Sequence, residues 1–180
     1  GEQGLIPPIE DLIDEYTIHA KRMFEEYPYL RNQAEVDGHV YNLSEVNECY
    51  HCAVSRKMWI NTDWLDTLGL DMPTTTEEFR QVLRAFKTQD PNGNGEADEI
   101  PLAGAINAYN GTLDHFLMNA FLQYNPDRIN VVDGQLQVAF TQPGWRDGLK
   151  YIASLYADGL IAPESFTMDR NQIKAVGENP

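Results

Sequence analysis

Cysteine, basic residues and long apolar runs are all scarce in this chain. Two cysteines in 180 residues exclude a disulfide-stapled scaffold. They stand as Cys49-Tyr50-His51-Cys52. A structural zinc site needs four ligands, and His19, His39 and His115 are isolated. A redox pair opens a helix after a strand, whereas this one runs on into a strand-like segment. Both cysteines are therefore expected to be structural, free or loosely paired. Only 13 Lys and Arg face 28 Asp and Glu, a net charge of −15. Such a field repels nucleic acid and anionic membrane surfaces, and it suits a cation or a neutral ligand. No run of about 18 apolar residues occurs, so no transmembrane helix is expected. Gly1 opens no signal or lipidation motif, as expected of a cytosolic protein or of a chain whose targeting segment has been removed. G-x-S-x-G, H-E-x-x-H and a phosphate-cradling glycine loop are missing as well, which removes the commonest hydrolase and nucleotide signatures.

What is present is an ordinary globular composition, 42% hydrophobic, long enough to bury a real core. Helical spacing marks Ile9 to Tyr16 and His19 to Glu26, the latter ending before Pro28. His39 to Leu43, after the Asp37-Gly38 turn, and Ala53 to Ile60 read as strands, the second with Met58 and Ile60 on one side. A short helix, TDWLDTLG, stops at Gly69. Thr75 and Glu78 form a capping box for a helix over about 75–88 that carries Phe79, Val82, Leu83 and Phe86. IPLAG reads as a strand. Leu113, Phe116, Leu117, Ala120, Phe121 and Tyr124 keep helical spacing over 112–124 and are expected in the core. Asp133-Gly134 joins Ile129–Val132 to 135–140 as a hairpin. Trp145, Leu149, Ile152 and Tyr156 define a last long helix over 144–157, and the tail from Met168 is a further helical piece. Trp59, Trp64 and Trp145 are expected in the core.

One short stretch carries most of the chemistry. Asp90 to Pro101 reads DPNGNGEADEIP. A hard cation such as Ca²⁺ takes six to eight oxygen ligands, and a D-x-N-x-N-G run curls so that alternate side chains converge on one point. Asp90, Asn92 and Asn94 offer side-chain oxygens, Glu96 its carbonyl, and Asp98 with Glu99 complete the shell. An EF-hand places a bidentate Glu at loop position 12, where Pro101 stands, so the loop is EF-hand-like and closes early. Its bland alternative is a polar Asn- and Gly-rich turn that binds nothing.

DGHVYNLSEV, followed by KMWINTDWLDTLGLDMPTTTEEFRQVLRAFKTQDPNGNGEADEIPLAG at Lys57 to Gly104, resembles the family 1 extracellular solute-binding proteins of bacterial ABC transporters. The likeness is greatest to lipoprotein members that carry sugars or oligosaccharides. It extends over roughly residues 5 to 165 and includes the later ADGLIAPE. It implies an α/β, helix-rich, periplasmic-binding-protein-like (type II) lobe, truncated relative to the two-lobed family. Residues 1–46 would be the end of the first lobe and the start of a crossing segment, and 47–180 the second lobe. In alginate-binding relatives such a loop coordinates calcium, matching Asp90, Asn92, Asn94, Glu96, Asp98 and Glu99 here.

The resemblance also implies ligand residues, from the crossing segment (Glu48, Tyr50) and from the AINAYNG loop (Asn107, Tyr109, Asn110). An aromatic face suits the apolar side of a pyranose, and flanking amides suit its hydroxyls. The two groups are expected on one face. The implied function is non-catalytic: an extracellular component, lipid-anchored in the full-length protein, binds a carbohydrate and delivers it to an ABC permease. Two rival readings remain open. A calcium-stabilised carbohydrate-active enzyme would need paired carboxylates across a cleft, for which Glu48 and Asp114 are the only candidates. A calcium-dependent interaction module would need paired loops between helices, and this chain has one.

Overall fold

The computed structural model describes residues 5–46, 48–50, 57–106, 108 and 111–178. The chain forms two compact units, Gly1–Tyr50 and His51–Pro180. In the first, α1 (Glu10–Tyr16), α2 (His19–Glu26) and α3 (Pro28–Ala34) precede a hairpin of β1 (Glu35–Val36) and β2 (His39–Val40). Pro28 begins α3 instead of only ending α2, because its missing N–H is an orphan at a first helical position anyway. Asp37 and Gly38 both have positive φ, at 52° and 82°, the backbone of a tight two-residue hairpin turn. The strand expected over 39–43 is therefore shorter and pairs locally: only His39 and Val40 join the ladder. Ile13, Ala34 and Val40 form this unit's core, with Ile9, Ala20 and Phe24 packed on it. Glu10 ties helix to hairpin, accepting from the Val40 amide at 3.2 Å and lying 2.5 Å from His39 Nδ1.

In the second unit, α4 (Thr62–Leu68) is capped by Asn61, whose amide oxygen accepts from Asp63 and Trp64 N–H, and it ends at Gly69 with φ 63°. Both halves of the Thr75–Glu78 capping box form at the start of α5 (Thr76–Thr88). This helix buries Val82, Leu83, Ala85 and Phe86. α6 (Asp114–Leu117) continues as a single 3-10 turn, Met118–Ala120. β3 (Ile129–Val132) and β4 (Gln135–Val138) form the expected hairpin. α7 (Pro143–Ala157) and α8 (Arg170–Glu178) follow, with a 3-10 turn at Pro163–Phe166 between them. The main core joins Leu83, Leu102, Leu117, Leu155, Leu160 and Ile161. Among the described residues no helix is long and apolar enough to cross a membrane.

Three sequence expectations need correction. The helix over 112–124 is cut short because Asn119 ends it. Its side-chain amide donates to the His115 carbonyl at 2.9 Å, and its oxygen accepts from the Tyr124 N–H at 3.0 Å, replacing the helical pattern. Phe116, expected in the core, is exposed, whereas Leu117 and Tyr124 are buried. In the long helix the innermost positions are Gly148 and Leu155, while Leu149 and Tyr156 are exposed. Gly148 lets the helix approach Met118, whose sulfur would lie 2.6 Å from an added Cβ.

The strands expected at Ala53–Ile60 and IPLAG are the third correction. Residues 53–56 lie outside the described residues; 57–60 and 100–104 run without regular secondary structure. Lys57 to Ile60 still alternates, with Met58 and Ile60 half-buried and Trp59 exposed. The IPLAG segment is anchored on one side, where Ala162 N–H donates to the Leu102 carbonyl at 2.9 Å and Gly104 N–H to Ser165 Oγ at 3.1 Å.

Candidate metal loop and ligand-binding residues

α5 delivers the chain into the loop at Asp90. Asp90 adopts φ 49°, and Gly93 and Gly95 have φ of 72° and 83°, so the backbone winds back on itself three times within six residues. Side chains hold the coil. Asp90 Oδ1 accepts from Asn94 N–H at 3.1 Å and Oδ2 from Gly95 N–H at 2.9 Å. Asn92 Oδ1 accepts from Asn94 N–H at 2.9 Å, and Asn94 Oδ1 from Glu96 N–H at 2.7 Å. Asn94 Nδ2 donates to Asp98 Oδ1 at 3.1 Å. The alternate Asp/Asn side chains thus all turn inward toward their own backbone.

Glu99 is the exception in this network. Both carboxylate oxygens are buried and neither has a hydrogen-bond partner among the described residues. An ionised carboxylate withdrawn from water without a partner is costly unless a cation or donor compensates it. Among the described residues no three of His, Cys, Asp and Glu converge as metal ligands. The loop's donor set is mixed instead: three carboxylates, two amide oxygens and the Glu96 carbonyl. Such hard oxygens fit Ca²⁺ and do not fit a soft metal.

The ligand residues divide. Asn107, Tyr109 and Asn110 lie outside the described residues. Tyr50 is exposed. Glu48 is exposed and accepts a short hydrogen bond from the Tyr27 hydroxyl, which pushes the tyrosine up to about 12. Cys49 between them is disulfide-bonded, the paired form of the two alternatives. Asp114, the other candidate acid, accepts from the Tyr124 hydroxyl at 2.8 Å. Burial, more than this contact, raises the Tyr124 pKa.

Trp59 departs most from expectation. Trp64 stacks edge-on against Phe86 at 5.2 Å, and Trp145 packs on Tyr124 at 5.6 Å, as core residues should. Trp59 is 90% exposed. It sits on the wall of a cavity of about 830 Å³ whose other walls include Met58, Leu83, Leu102 and Ile173. The loop residues Asn92, Asn94, Asp98 and Glu99 also line it. The alternation of Lys57 to Ile60 was the available signal, since it places Trp59 opposite Met58 and Ile60.

No family model matches the chain. The fructooligosaccharide ABC transporter substrate-binding protein FusA of Streptococcus pneumoniae serotype 4 (strain ATCC BAA-334 / TIGR4) is 40% identical over 189 aligned residues, covering 99% of this chain and 35% of FusA. Lipoprotein LipO of Bacillus subtilis (strain 168) is 35% identical over 164 residues, covering 85% of this chain and 32% of LipO. Among solved structures, FusA of S. pneumoniae in complex with kestose matches with a TM-score of 0.79 at 36% identity, covering 99% of this chain and 38% of that one. A FusA EF-hand mutant in complex with fructo-nystose matches with a TM-score of 0.80 at 37% identity, again over 99% of this chain and 38% of that one. The chain thus spans about a third of the length of the curated relatives it matches. Its relatives in sequence are substrate-binding proteins of ABC transporters, and its structure is similar to a helix-rich stretch of their fold.

Proposed function

We propose that this chain is part of the extracellular component of a bacterial ABC importer that captures an oligosaccharide and presents it to a permease. The supporting observation is the match to FusA along nearly the whole chain in both sequence and structure, at 40% identity and a TM-score of 0.79. FusA is named for fructooligosaccharides and has been solved with kestose, so this ligand class is the first to test. Capture is non-catalytic in this reading. Residues 1–46 supply the end of one lobe and the start of a crossing segment, and 47–180 the second lobe. Tyr50 stacks on the sugar, Glu48 accepts its hydroxyls, and Asn107, Tyr109 and Asn110 complete the contact. In the full-length protein a lipid anchor holds the assembly outside the membrane, consistent with the lipoprotein name of LipO.

The loop holds Ca²⁺ through Asp90, Asn92, Asn94, the Glu96 carbonyl, Asp98 and Glu99, and the ion would cancel the repulsion among these acids. Two observations support it: the orphaned buried carboxylate of Glu99, and the EF-hand mutant made in FusA. Extracellular calcium is abundant, so an affinity of about 10⁻⁴ to 10⁻³ M would be sufficient. The test is calorimetric titration of kestose into the full-length protein in millimolar Ca²⁺, with Tyr50→Ala beside wild type. Saturable binding without turnover, weakened about tenfold by the substitution, which is about 1.4 kcal/mol, is expected. Hydrolysis of the sugar, or no binding of any oligosaccharide tried, would overturn the reading.

A further inference from the structure

Two Asn-Gly pairs stand in tandem inside the Asp90 loop, Asn92-Gly93 and Asn94-Gly95, and all four residues are exposed. Such a pair can react with itself, because a glycine, with no side chain, leaves its amide nitrogen open to reach the carbonyl carbon of the preceding side chain. The reaction needs the asparagine side chain to turn toward that nitrogen and the N–H to be released from other bonds. The loop grants these freedoms unequally. Asn94 is held at both ends of its side-chain amide: Oδ1 accepts from Glu96 N–H at 2.7 Å, and Nδ2 donates to Asp98 Oδ1 at 3.1 Å. Gly95 N–H, the donor that would have to be released, is held by the Asp90 carboxylate at 2.9 Å. Asn92 makes a single side-chain hydrogen bond among the described residues, accepting from Asn94 N–H at 2.9 Å. Breaking it leaves no orphan, since Asn94 N–H also donates to Asp90 Oδ1 at 3.1 Å. Gly93 N–H is held by the neutral Asp90 carbonyl at 3.2 Å, a bond roughly half as strong as one to a carboxylate.

From this we propose that Asn92 is a site of spontaneous deamidation and that Asn94, in the same loop, is protected from it by its hydrogen bonds. The Gly93 nitrogen gives up its proton to hydroxide and attacks Asn92 Cγ. A bond from that nitrogen to Cγ forms, the Cγ–Nδ2 bond breaks, and the side-chain nitrogen leaves as ammonia after taking a proton from water. Water then opens the resulting succinimide at either carbonyl, giving aspartate or isoaspartate. In sum, asparagine and water become an acid and ammonia, and no oxidant or reductant is needed. The aspartate product puts a carboxylate where a neutral amide shared the Asn94 N–H with Asp90, so two like charges then crowd one donor. The isoaspartate product adds a main-chain carbon and breaks the every-second-residue spacing of the loop's oxygens. The inference rests on the loop's own hydrogen bonds and is independent of the oligosaccharide and calcium readings.

Ageing of the full-length protein tests it, in EGTA and without sugar so that neither of those readings is at stake. Samples held at mildly alkaline pH are digested, and aspartate and isoaspartate at each position are followed by mass spectrometry. In the folded protein Asn92 should convert at least about tenfold faster than Asn94, the ratio expected when one site must break two more hydrogen bonds than the other. In urea the two pairs should convert alike, since the sequence about each is the same Asn-Gly. Asp98→Ala removes the acceptor of Asn94 Nδ2 and should speed conversion at Asn94 by about fivefold while leaving Asn92 unchanged. Conversion of Asn94 as fast as Asn92 in the folded protein overturns the proposal. So does an Asp98→Ala variant in which Asn94 stays as slow as in wild type. Folded protein intact at both positions after the time in which the urea-unfolded chain has converted would equally overturn it.

Discussion

Arg80 on α5 and Asp158 at the end of α7 are joined by a 3.0 Å hydrogen bond from Nη1 to Oδ2, across 78 residues of sequence. The same carboxylate oxygen accepts from Arg84 at 2.8 Å, and Lys87 donates to the Asp158 carbonyl at 2.9 Å. Arg80 also donates to Ser154 Oγ at 2.5 Å and lies 5.1 Å from the Tyr151 ring centroid. Three cations one helical turn apart thus meet the negative end of α7.

The Asp158 carboxyl is held below its ordinary 3.8, chiefly by the Arg84 hydrogen bond and against the opposing effect of burial. A depressed folded-state pKa stabilises above the unfolded value, so this contribution is complete above pH 3.8 and is lost as pH falls through the lowered value. Asp158→Asn should lower the melting temperature by a few degrees at neutral pH and by less at about pH 3. Melting both proteins across that range checks the sign; a constant gap would refute it.

Two glycines of α7 face the short helix α6 and its 3-10 turn with different tolerance. A Cβ on Gly144 would lie 2.4 Å from the Phe121 backbone carbonyl oxygen, whereas on Gly148 it would meet the end of the Met118 side chain at 2.6 Å. Backbone yields less than a thioether. Gly144→Ala should cost about 1–3 kcal/mol. Gly148→Ala should fall near zero, as a helix-propensity gain of about 1 kcal/mol offsets the shift of Met118. Urea unfolding of the two variants would test this order.

Leu155 is fully buried at the centre of the main core, and Leu149, on the same helix, is 45% exposed. Leu155→Ala should destabilise by about 2–5 kcal/mol through lost contacts and a cavity. Leu149→Ala should cost under about 1 kcal/mol. Comparable losses would mean that the helix is rotated from the orientation described.

Glu99→Gln offers a crossover test of the metal loop. Without Ca²⁺ the substitution removes a buried, unpartnered charge and should raise stability by about 1–3 kcal/mol. With Ca²⁺ it removes a ligand and should lower the stability that the ion provides. For wild type that gain is about 1.4 kcal/mol at ten times the dissociation constant. Asp90→Ala should abolish the calcium response. Thermal melts in EGTA and in millimolar Ca²⁺ decide the matter, and identical wild-type midpoints in both would leave only a polar turn.

Features legible in the sequence have causes within a few residues of themselves. The Gly69 stop, the Thr75–Glu78 box and both Asp-Gly turns depend on side chains bonding to nearby amides or on a local φ, and all form as read; the Asn61 cap, which the sequence reading missed, is equally local. The curled Asp90 loop is of the same kind, with every side-chain-to-backbone bond spanning five residues or fewer. The orphaned state of Glu99 could not be read this way, since burial of its carboxylate depends on what folds over it.

Sequence by itself determined where chain segments start, turn and stop, and it identified the protein's relatives through the stretch from Trp59 to Pro101. Tertiary structure decided which of those segments became regular and which faces were covered. Apolar spacing over 112–124 supports a long helix, yet Asn119 diverts the chain into Tyr124, whose ring is buried against Trp145. Alternation in Lys57–Ile60 and in IPLAG supports strands, but a strand needs a partner whose position no local pattern encodes. Trp59 follows from that difference. Its place on the outward side of an alternating segment is a property of the sequence, and its exposure is set by which segments pack beside it.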